Sequence, residues 1–367
     1  MIKAGDAYVT KVTRVSYSCG HRCRRRFEQG RIRVVICKRL SAAVLAALFP
    51  AFTGIATAQT AYPTKPINVI VPFAAGGPTD VVTRIIGEYM SRTLGQQLVV
   101  ENVGGAGGST GMTRVAQAAP DGYTIGVGNT GTQSAAPALY PNLKYDPIAS
   151  FQQIGILNFT PQAIVAKNAT EAKDLKSFIA YLKANSDKLT YAHAGVGSTS
   201  HVAGVVFNSQ FGAKPALVAY RGTGPALNDL VGGQVDYMLD QSLNVIPQIK
   251  GGTIKAFAIA AEERLESLPD VPTTKEAGID FLFTAWNVMV APKGVPKEVV
   301  DTLVNAVNKA LDEPTVKARY VELGSTAPKP EDRGPAALEK LVSSEVARIS
   351  PALRAAMAAE PAADAKK

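Results

Sequence analysis

The sequence predicts an α/β protein in which strands and helices alternate along most of the chain. Short apolar runs recur between segments of helical periodicity, and this alternation favours mainly parallel sheets. The predicted strands show little alternation of polar and apolar residues, as in Ile67–Val71, and this is typical of strands that are covered on both faces.

The first predicted helix follows that strand directly. Val81, Ile85 and Tyr89 recur at helical spacing, and Gly95 marks the end of the helix. A second amphipathic stripe covers 175–182, and a late helix follows Pro296, a residue suited to a first helical turn. Further strands are predicted at 98–100, 123–127, 163–165, 189–192, 216–220, 235–239 and 256–259.

The N-terminal segment has the features of an export signal. A basic stretch from Arg22 to Arg39 precedes an apolar run, Leu40–Phe52, and the small residues Ala56-Thr57-Ala58 follow. This order predicts a signal peptide cleaved near Ala58 and a periplasmic mature protein. Translation could also start at a residue later than Met1. A membrane anchor is the alternative, but an apolar run of about 13 residues is shorter than the roughly 20 that span a bilayer.

The leader accounts for the whole basic excess of the chain. Residues 1–58 contain 11 of the 39 Lys and Arg but two of the 30 Asp and Glu, which leaves 28 of each in the remainder. A neutral mature chain argues against a nucleic-acid partner. All three cysteines also lie in the leader, so disulfides, thiol catalysis and cysteine-bound metals are not expected beyond it.

Three glycine-rich loops join predicted strands to predicted helices, where free helix N–H groups favour anions. They are 72–80, with Gly76 and Gly77, the segment 102–111, and 191–201, with Ser198 and Thr199. The second loop lacks the third small residue of a dinucleotide fingerprint, and it has no phosphate-binding lysine.

Catalytic and metal sites have weaker support. Ser198 and His201 are three residues apart, but no nucleophile-elbow motif surrounds the serine. His193 and His201 are the two histidines beyond the leader, and neither lies in a metal-binding motif. For Asp236, capping or pairing with Arg221 is at least as good an explanation as a role in acid/base catalysis. We therefore expect no cofactor, no metal and no catalytic residue.

An ordered set of modest motifs resembles one known family. The motifs include Pro72-Phe73-x-x-Gly76-Gly77-x-x-Asp80, Pro120-Asp121-Gly122-Tyr123-Thr124, Tyr220-Arg221-Gly222 and Gly232-Gly233-Gln234-Val235-Asp236. The loop at 102–108 and Trp286 belong to the same set. The resemblance extends over residues 62–353. The chain is similar to the Bug receptors, the extracytoplasmic solute-binding proteins of tripartite tricarboxylate transporters.

The resemblance implies a two-lobed periplasmic-binding-protein fold of the type II-like, Venus flytrap kind. Two crossovers between the lobes are expected, near 159–161 and near 283–286. Residues 59–160 and 284–367 would form lobe 1, and 161–283 would form lobe 2. A monomer would bind a small carboxylate, without catalysis, for delivery to the membrane subunits of a transporter.

The same resemblance implies where the ligand binds. Loops of both lobes would contact it through backbone N–H groups, hydroxyls and waters; the implied positions are Phe73, Ala75, Gly76, Gly77, Thr79, Asp80, Thr130, Gln162, Ser198, Thr199, His201 and Asp240. Ala75 stands where the family commonly has proline. Asp240 would receive an ammonium group or orient water, and the ligand itself stays open. A secreted hydrolase using Ser198 and His201, and a sensor without transport, are the alternatives.

Overall fold

The computed structural model describes residues 62–358, and the expected leader at 1–58 lies outside them. The strands, in chain order, are β1 Ile67–Val71, β2 Leu98–Asn102, β3 Thr124–Asn129, β4 Phe151–Lys167, β5 Thr190–His193, β6 Ala216–Ala219, β7 Tyr237–Gln241, β8 Ile254–Ile259 and β9 Thr284–Pro292. The helices are α1 Pro78–Leu94, α2 Ser109–Ala116, α3 Ala136–Leu139, α4 Leu175–Asn185, α5 Thr199–Phe211, α6 Thr223–Val231, α7 Ser242–Lys250, α8 Lys297–Asp312, α9 Pro314–Glu322 and α10 Gly334–Ala358.

The sheet runs in the order β2-β1-β3-β9-β4-β7-β5-β6, and β8 pairs with β4. Pairs at its two ends are parallel, as predicted, but β9 is antiparallel to β3 and to β4, and β4 is antiparallel to β7 and β8. The prediction of mainly parallel sheets was therefore wrong for the centre. It missed β9 and most of β4, since long antiparallel strands return without the helix that marks a parallel crossover.

The strand β4 changes partners partway along its length. Its residues up to Pro161 pair with β9, where Pro161 lies opposite Thr284. From Gln162 onward it pairs with β7, and Gln162 lies opposite Gln241. Pro161 and Thr284 lie within 159–161 and 283–286, the two ranges where the resemblance implies crossovers between the lobes.

Both faces of the sheet are covered, which explains the missing alternation in the strand sequences. Ile67 and Val69 of β1 pack with α1 and α8, whereas Ile70 packs in the cluster on the other face. Along β4, Ile164 packs in the cluster that contains Phe178, and Val165 packs in the cluster on the opposite face. Successive strand residues point to opposite faces, so both must be apolar here.

The terminal helix α10 contacts apolar clusters in both parts of the molecule. Leu338 and Val342 pack in the cluster of Ile70, while Ile349 and Leu353 pack in the cluster around Phe178. Within 62–358, no helix combines the length and apolar character needed to cross a bilayer.

Candidate functional site

The loop between β1 and α1 is organised by one carboxylate. Asp80 accepts from the Gly76 N–H at 3.0 Å, from Arg84 Nε and Nη2 at 3.0 Å each, and from Asn102 Nδ2 at 3.0 Å. Burial opposes ionisation, but the bonds from Arg84, Gly76 and Asn102 outweigh it and lower the pKa of Asp80. The charged side chain therefore fixes the loop that leads into α1.

The helix α5 begins at a serine cap. Ser198 Oγ accepts from the His201 N–H at 3.3 Å, and Ser200 Oγ accepts from the Ala194 N–H at 3.0 Å. Thr199 Oγ1 accepts from the Gly131 N–H at 3.1 Å and so connects this helix start to the loop after β3. The first N–H groups of a helix have no partner within the helix, so they are available to a ligand.

A buried carboxyl group lies at the end of β7. Asp240 is 2% exposed, and its Oδ2 accepts from Asn244 Nδ2 at 2.5 Å. Burial raises its pKa to about 7, against the opposing effect of hydrogen bonds from Asn244, the Gln241 N–H and Thr223. Asp240 therefore keeps its proton to a higher pH than a solvent-exposed aspartate.

These strand and helix ends line a small cavity of about 20 Å³. It is lined by Phe73, Gly77, Pro78, Thr79, Asn129, Ala194, Ser198, Thr199, Ser200, Thr223, Asp240 and Gln241. The N-termini of α1 and α5 both reach it, and the lining residues include no Lys or Arg. An anion bound here would be held by neutral donors and helix ends.

Glycines bring the loops on the two sides of the cavity into direct contact. A Cβ on Gly131 would lie 2.5 Å from Thr199 N, and one on Gly107 would overlap the Val196 carbonyl. Nearby, the Ala74 N–H donates to the Arg221 carbonyl at 2.9 Å. The contacts leave no room for side chains at Gly107 and Gly131.

Six of the twelve implied ligand-binding residues line this cavity: Phe73, Gly77, Thr79, Ser198, Thr199 and Asp240. The other six do not; Ala75 and Gly76 line a neighbouring hollow, and Asp80, Thr130, Gln162 and His201 are absent from the lining.

Each of these departures has a local cause. Ala75 and Gly76 lie on the outer, exposed side of their loop. Asp80 points back to Arg84, as described above. Thr130 Oγ1 accepts from the Trp286 N–H at 3.0 Å, which joins the loop after β3 to β9. Gln162 is fully buried within β4.

His201 does not form a catalytic pair with Ser198. Its Nδ1 accepts from the Gly197 N–H at 3.3 Å, while Ser198 Oγ contacts the His201 backbone N–H. Burial, and the neighbouring His193, lower the pKa of His201 to about 3, so the ring is neutral. The geometry gives the hydrolase alternative no general base at Ser198. In the part of the chain that the structure covers, no group of three His, Cys, Asp or Glu is arranged to bind a metal.

Sequence reasoning missed several lining residues, including Asn129, Ser200, Thr223 and Gln241. Asn129 and Gln241 end strands, and Ser200 and Thr223 lie in the first turn of a helix. The available signal was therefore position at a strand end or a helix start. That signal does not tell which of two adjacent side chains faces the cavity.

Comparisons with known proteins agree with this architecture. Among solved structures, MatC of Rhodopseudomonas palustris with bound malate is 45% identical, with a TM-score of 0.77 over 79% of this chain and 99% of that one. The periplasmic binding protein BugD is 42% identical, with a TM-score of 0.78 over 80% of this chain and 98% of that one. These similarities confirm the periplasmic-binding-protein-like α/β fold.

Sequence relatives identify the family. A UPF0065 protein of Agrobacterium vitis, encoded in the TAR-I ttuE–ttuC′ intergenic region, is 42% identical over 298 residues, 81% of this chain and 86% of the relative. A family model described as the tripartite tricarboxylate transporter family receptor matches residues 82–356. The chain therefore belongs to the receptors of the tripartite tricarboxylate transporter family.

Proposed function

We propose that this protein binds a small carboxylate in the cavity and presents it to the membrane subunits of a tripartite tricarboxylate transporter. The observation that carries the proposal is the convergence of two helix N-termini, α1 and α5, on one small cavity with mostly polar lining residues. Helix N-termini and neutral donors suit a carboxylate, and the related MatC was solved with malate.

The proposed binding motion is a hinge closure about the centre of the sheet. The moving bodies would be 59–160 with 284–367, and 161–283, because β4 exchanges β9 for β7 between Pro161 and Gln162. The last turns of α10 pack with the second body through Ile349 and Leu353, so this helix would have to slide or bend during opening.

We propose that the protein acts in the periplasm as a monomer and binds its ligand without catalysis, as the resemblance to this receptor family implies. The leader would be cleaved near Ala58, and N-terminal sequencing of the exported protein tests this position. Labelling of Ser198 by a serine-directed covalent probe would contradict the absence of catalysis.

A thermal-shift screen of organic acids identifies the ligand class, since binding to the native state alone raises the melting temperature. L-malate, succinate, citrate, adipate and benzoate cover the relevant sizes and charges. A rise in melting temperature with at least one acid is expected, and no rise with any of them would refute the proposed function.

The double variant Ser198→Ala/Thr199→Ala should weaken binding of the selected acid by roughly 10- to 100-fold, because hydrogen bonds to charged groups contribute about 1.5–3 kcal/mol. Removing Thr199 Oγ1 also breaks its bond to Gly131 across the cavity. Titration calorimetry measures the change. The matched control is Ser209→Ala, an exposed position near the other end of α5. Equal affinities in the double variant and the control would exclude these hydroxyls from the site.

A further inference from the structure

A chain of hydrogen-bonded side chains crosses the buried centre of the molecule behind the cavity. It begins at a backbone N–H after β3, passes through α1, β9 and β4, and ends at a backbone carbonyl of β4. Its members are Thr132 N, Asn129, Thr79, Asn287, Asn158, Ser325 and Phe159 O. Every side chain in it is at most 3% exposed, so these groups are shielded from solvent.

The first end of the chain fixes the direction of the hydrogen bonds. The Thr132 N–H can only donate, and it lies 3.2 Å from Asn129 Oδ1. Asn129 therefore directs Nδ2 to Thr79 Oγ1, at 3.1 Å. The Thr79 hydroxyl then donates to Asn287 Oδ1, at 2.9 Å. From this side, Asn287 presents its carbonyl oxygen to Thr79 and its amide nitrogen to the opposite side.

The bonds at the other end agree with the same orientation. The Phe159 carbonyl can only accept, and Ser325 Oγ donates to it at 3.0 Å. The Ser325 oxygen then accepts from Asn158 Nδ2 at 2.8 Å, which turns Asn158 Oδ1 toward Asn287 Nδ2, at 2.9 Å. Reversing the Asn287 amide would place two carbonyl oxygens against each other. The Thr132 N–H therefore sets the orientation of Asn287, and the bonds at the Ser325 end agree with it.

The second N–H of Asn287 determines the orientation of a residue in the cavity wall. Asn287 Nδ2 lies 3.1 Å from Gln241 Oε1, so that oxygen is the acceptor. Gln241 lines the cavity, and its Nε2 makes no hydrogen bond with the residues that the structure describes. The two N–H groups of Gln241 are therefore available to a ligand, while its carbonyl oxygen is turned toward Asn287.

We infer that Asn287 is a positioning residue, which turns the Gln241 amide so that its donors face the bound acid. The inference rests on the proposed function and adds to it a specific donor for a ligand carboxylate. With the opposite orientation, Gln241 Oε1 would face the carboxylate, and two oxygens without hydrogens repel each other. Asn287 itself does not line the cavity, but it contacts two residues that do, Gln241 through Nδ2 and Thr79 through Oδ1.

The variant Asn287→Asp tests this role because it replaces the donor to Gln241 with an acceptor. Gln241 would turn its amide nitrogen to the new carboxyl group and its carbonyl oxygen to the ligand. We expect binding of the acid selected in the screen to weaken on the order of 10- to 100-fold. Asn287→Ala leaves the Gln241 amide free to adopt both orientations, so it should weaken binding less. This variant replaces Asn287→Asp in the test if Asn287→Asp does not fold.

Coupling separates positioning from a general structural effect. In a Gln241→Met background, Asn287→Asp should change affinity by less than about threefold, because the group it positions is gone while the acceptor for Thr79 remains. Equal losses in both backgrounds would overturn the inference. Thr274→Val is the matched control; it removes a buried bond to the Phe281 carbonyl, so it should lower the melting temperature and leave affinity unchanged.

Nuclear magnetic resonance of protein with isotope-labelled glutamine gives a direct readout. The Gln241 side-chain amide signal, assigned by its loss in Gln241→Glu, should shift when the acid saturates the wild-type protein. Acid binding without this shift would overturn the inference and leave the proposed function intact. Failure of every acid to bind the wild-type protein would overturn both.

Discussion

Gly131→Ala should abolish tight ligand binding while leaving the protein folded. An added Cβ would lie 2.5 Å from Thr199 N and 2.6 Å from the Gly197 carbonyl, closer than atoms approach without displacement. Gly131 does not have a positive φ, so alanine adds no backbone strain of its own. Relief requires the loops on the two sides of the cavity to separate, and overpacking costs of 1–3 kcal/mol correspond to roughly 10- to 100-fold in affinity.

The control for this prediction is Gly155→Ala, where the nearest atom to an added Cβ is 3.7 Å away. Titration calorimetry should find normal affinity in the control and weak or undetectable binding in Gly131→Ala. Small-angle scattering should show a larger radius for Gly131→Ala in the presence of the acid. Unchanged affinity in both variants would mean that closure does not bring Gly131 and Thr199 together.

Asp240→Asn should remove a pH dependence that we expect of the wild-type protein in both stability and binding. Burial raises the pKa of Asp240 from 3.8 to about 7, so the folded protein keeps this proton where the unfolded chain has lost it. The free energy of unfolding should therefore fall as pH rises from about 4 to about 7, by up to roughly 1.4 kcal/mol per pH unit. Urea unfolding across this range measures the slope, which Asp240→Asn should reduce.

Ligand affinity should also depend on the ionisation of Asp240, at higher pH. Above about pH 7, the ionised Asp240 repels a carboxylate, so affinity should fall by up to about tenfold per pH unit. Asp240→Asn should bind with an affinity that is nearly constant from about pH 6 to pH 8.5. Weaker binding by Asp240→Asn at every pH would show instead that Asp240 accepts a hydrogen bond from the ligand.

Asp236, next to the other end of β7, is the matched control. Burial opposes its ionisation, but Lys167 and Thr190 lower its pKa, so its contribution has the opposite sign. The stability that it provides is present above its unfolded pKa and lost as pH falls through the folded value. Asp236→Asn should lower stability at neutral pH without changing how binding depends on pH.

Adjacent residues show where sequence reasoning failed in the site. Thr79 and Asp80 are neighbours in the first turn of α1, yet Thr79 lines the cavity and Asp80 faces Arg84 one turn later. Gln162 and Gln241 lie opposite each other in paired strands, and of the two it is Gln241 that lines the cavity. The sequence predicted the correct loops at these places but not the correct side chains.

The sequence by itself determined the strand–helix alternation, the glycine-rich loops at the strand ends and the membership of a receptor family. These properties depend on local periodicity, on turn chemistry and on motif order, which are written along the chain. Tertiary structure decided the antiparallel centre of the sheet, because β4 and β9 meet across more than a hundred residues. It also decided that Asn287 orients Gln241, since a hydrogen-bond direction depends on partners that only folding brings together.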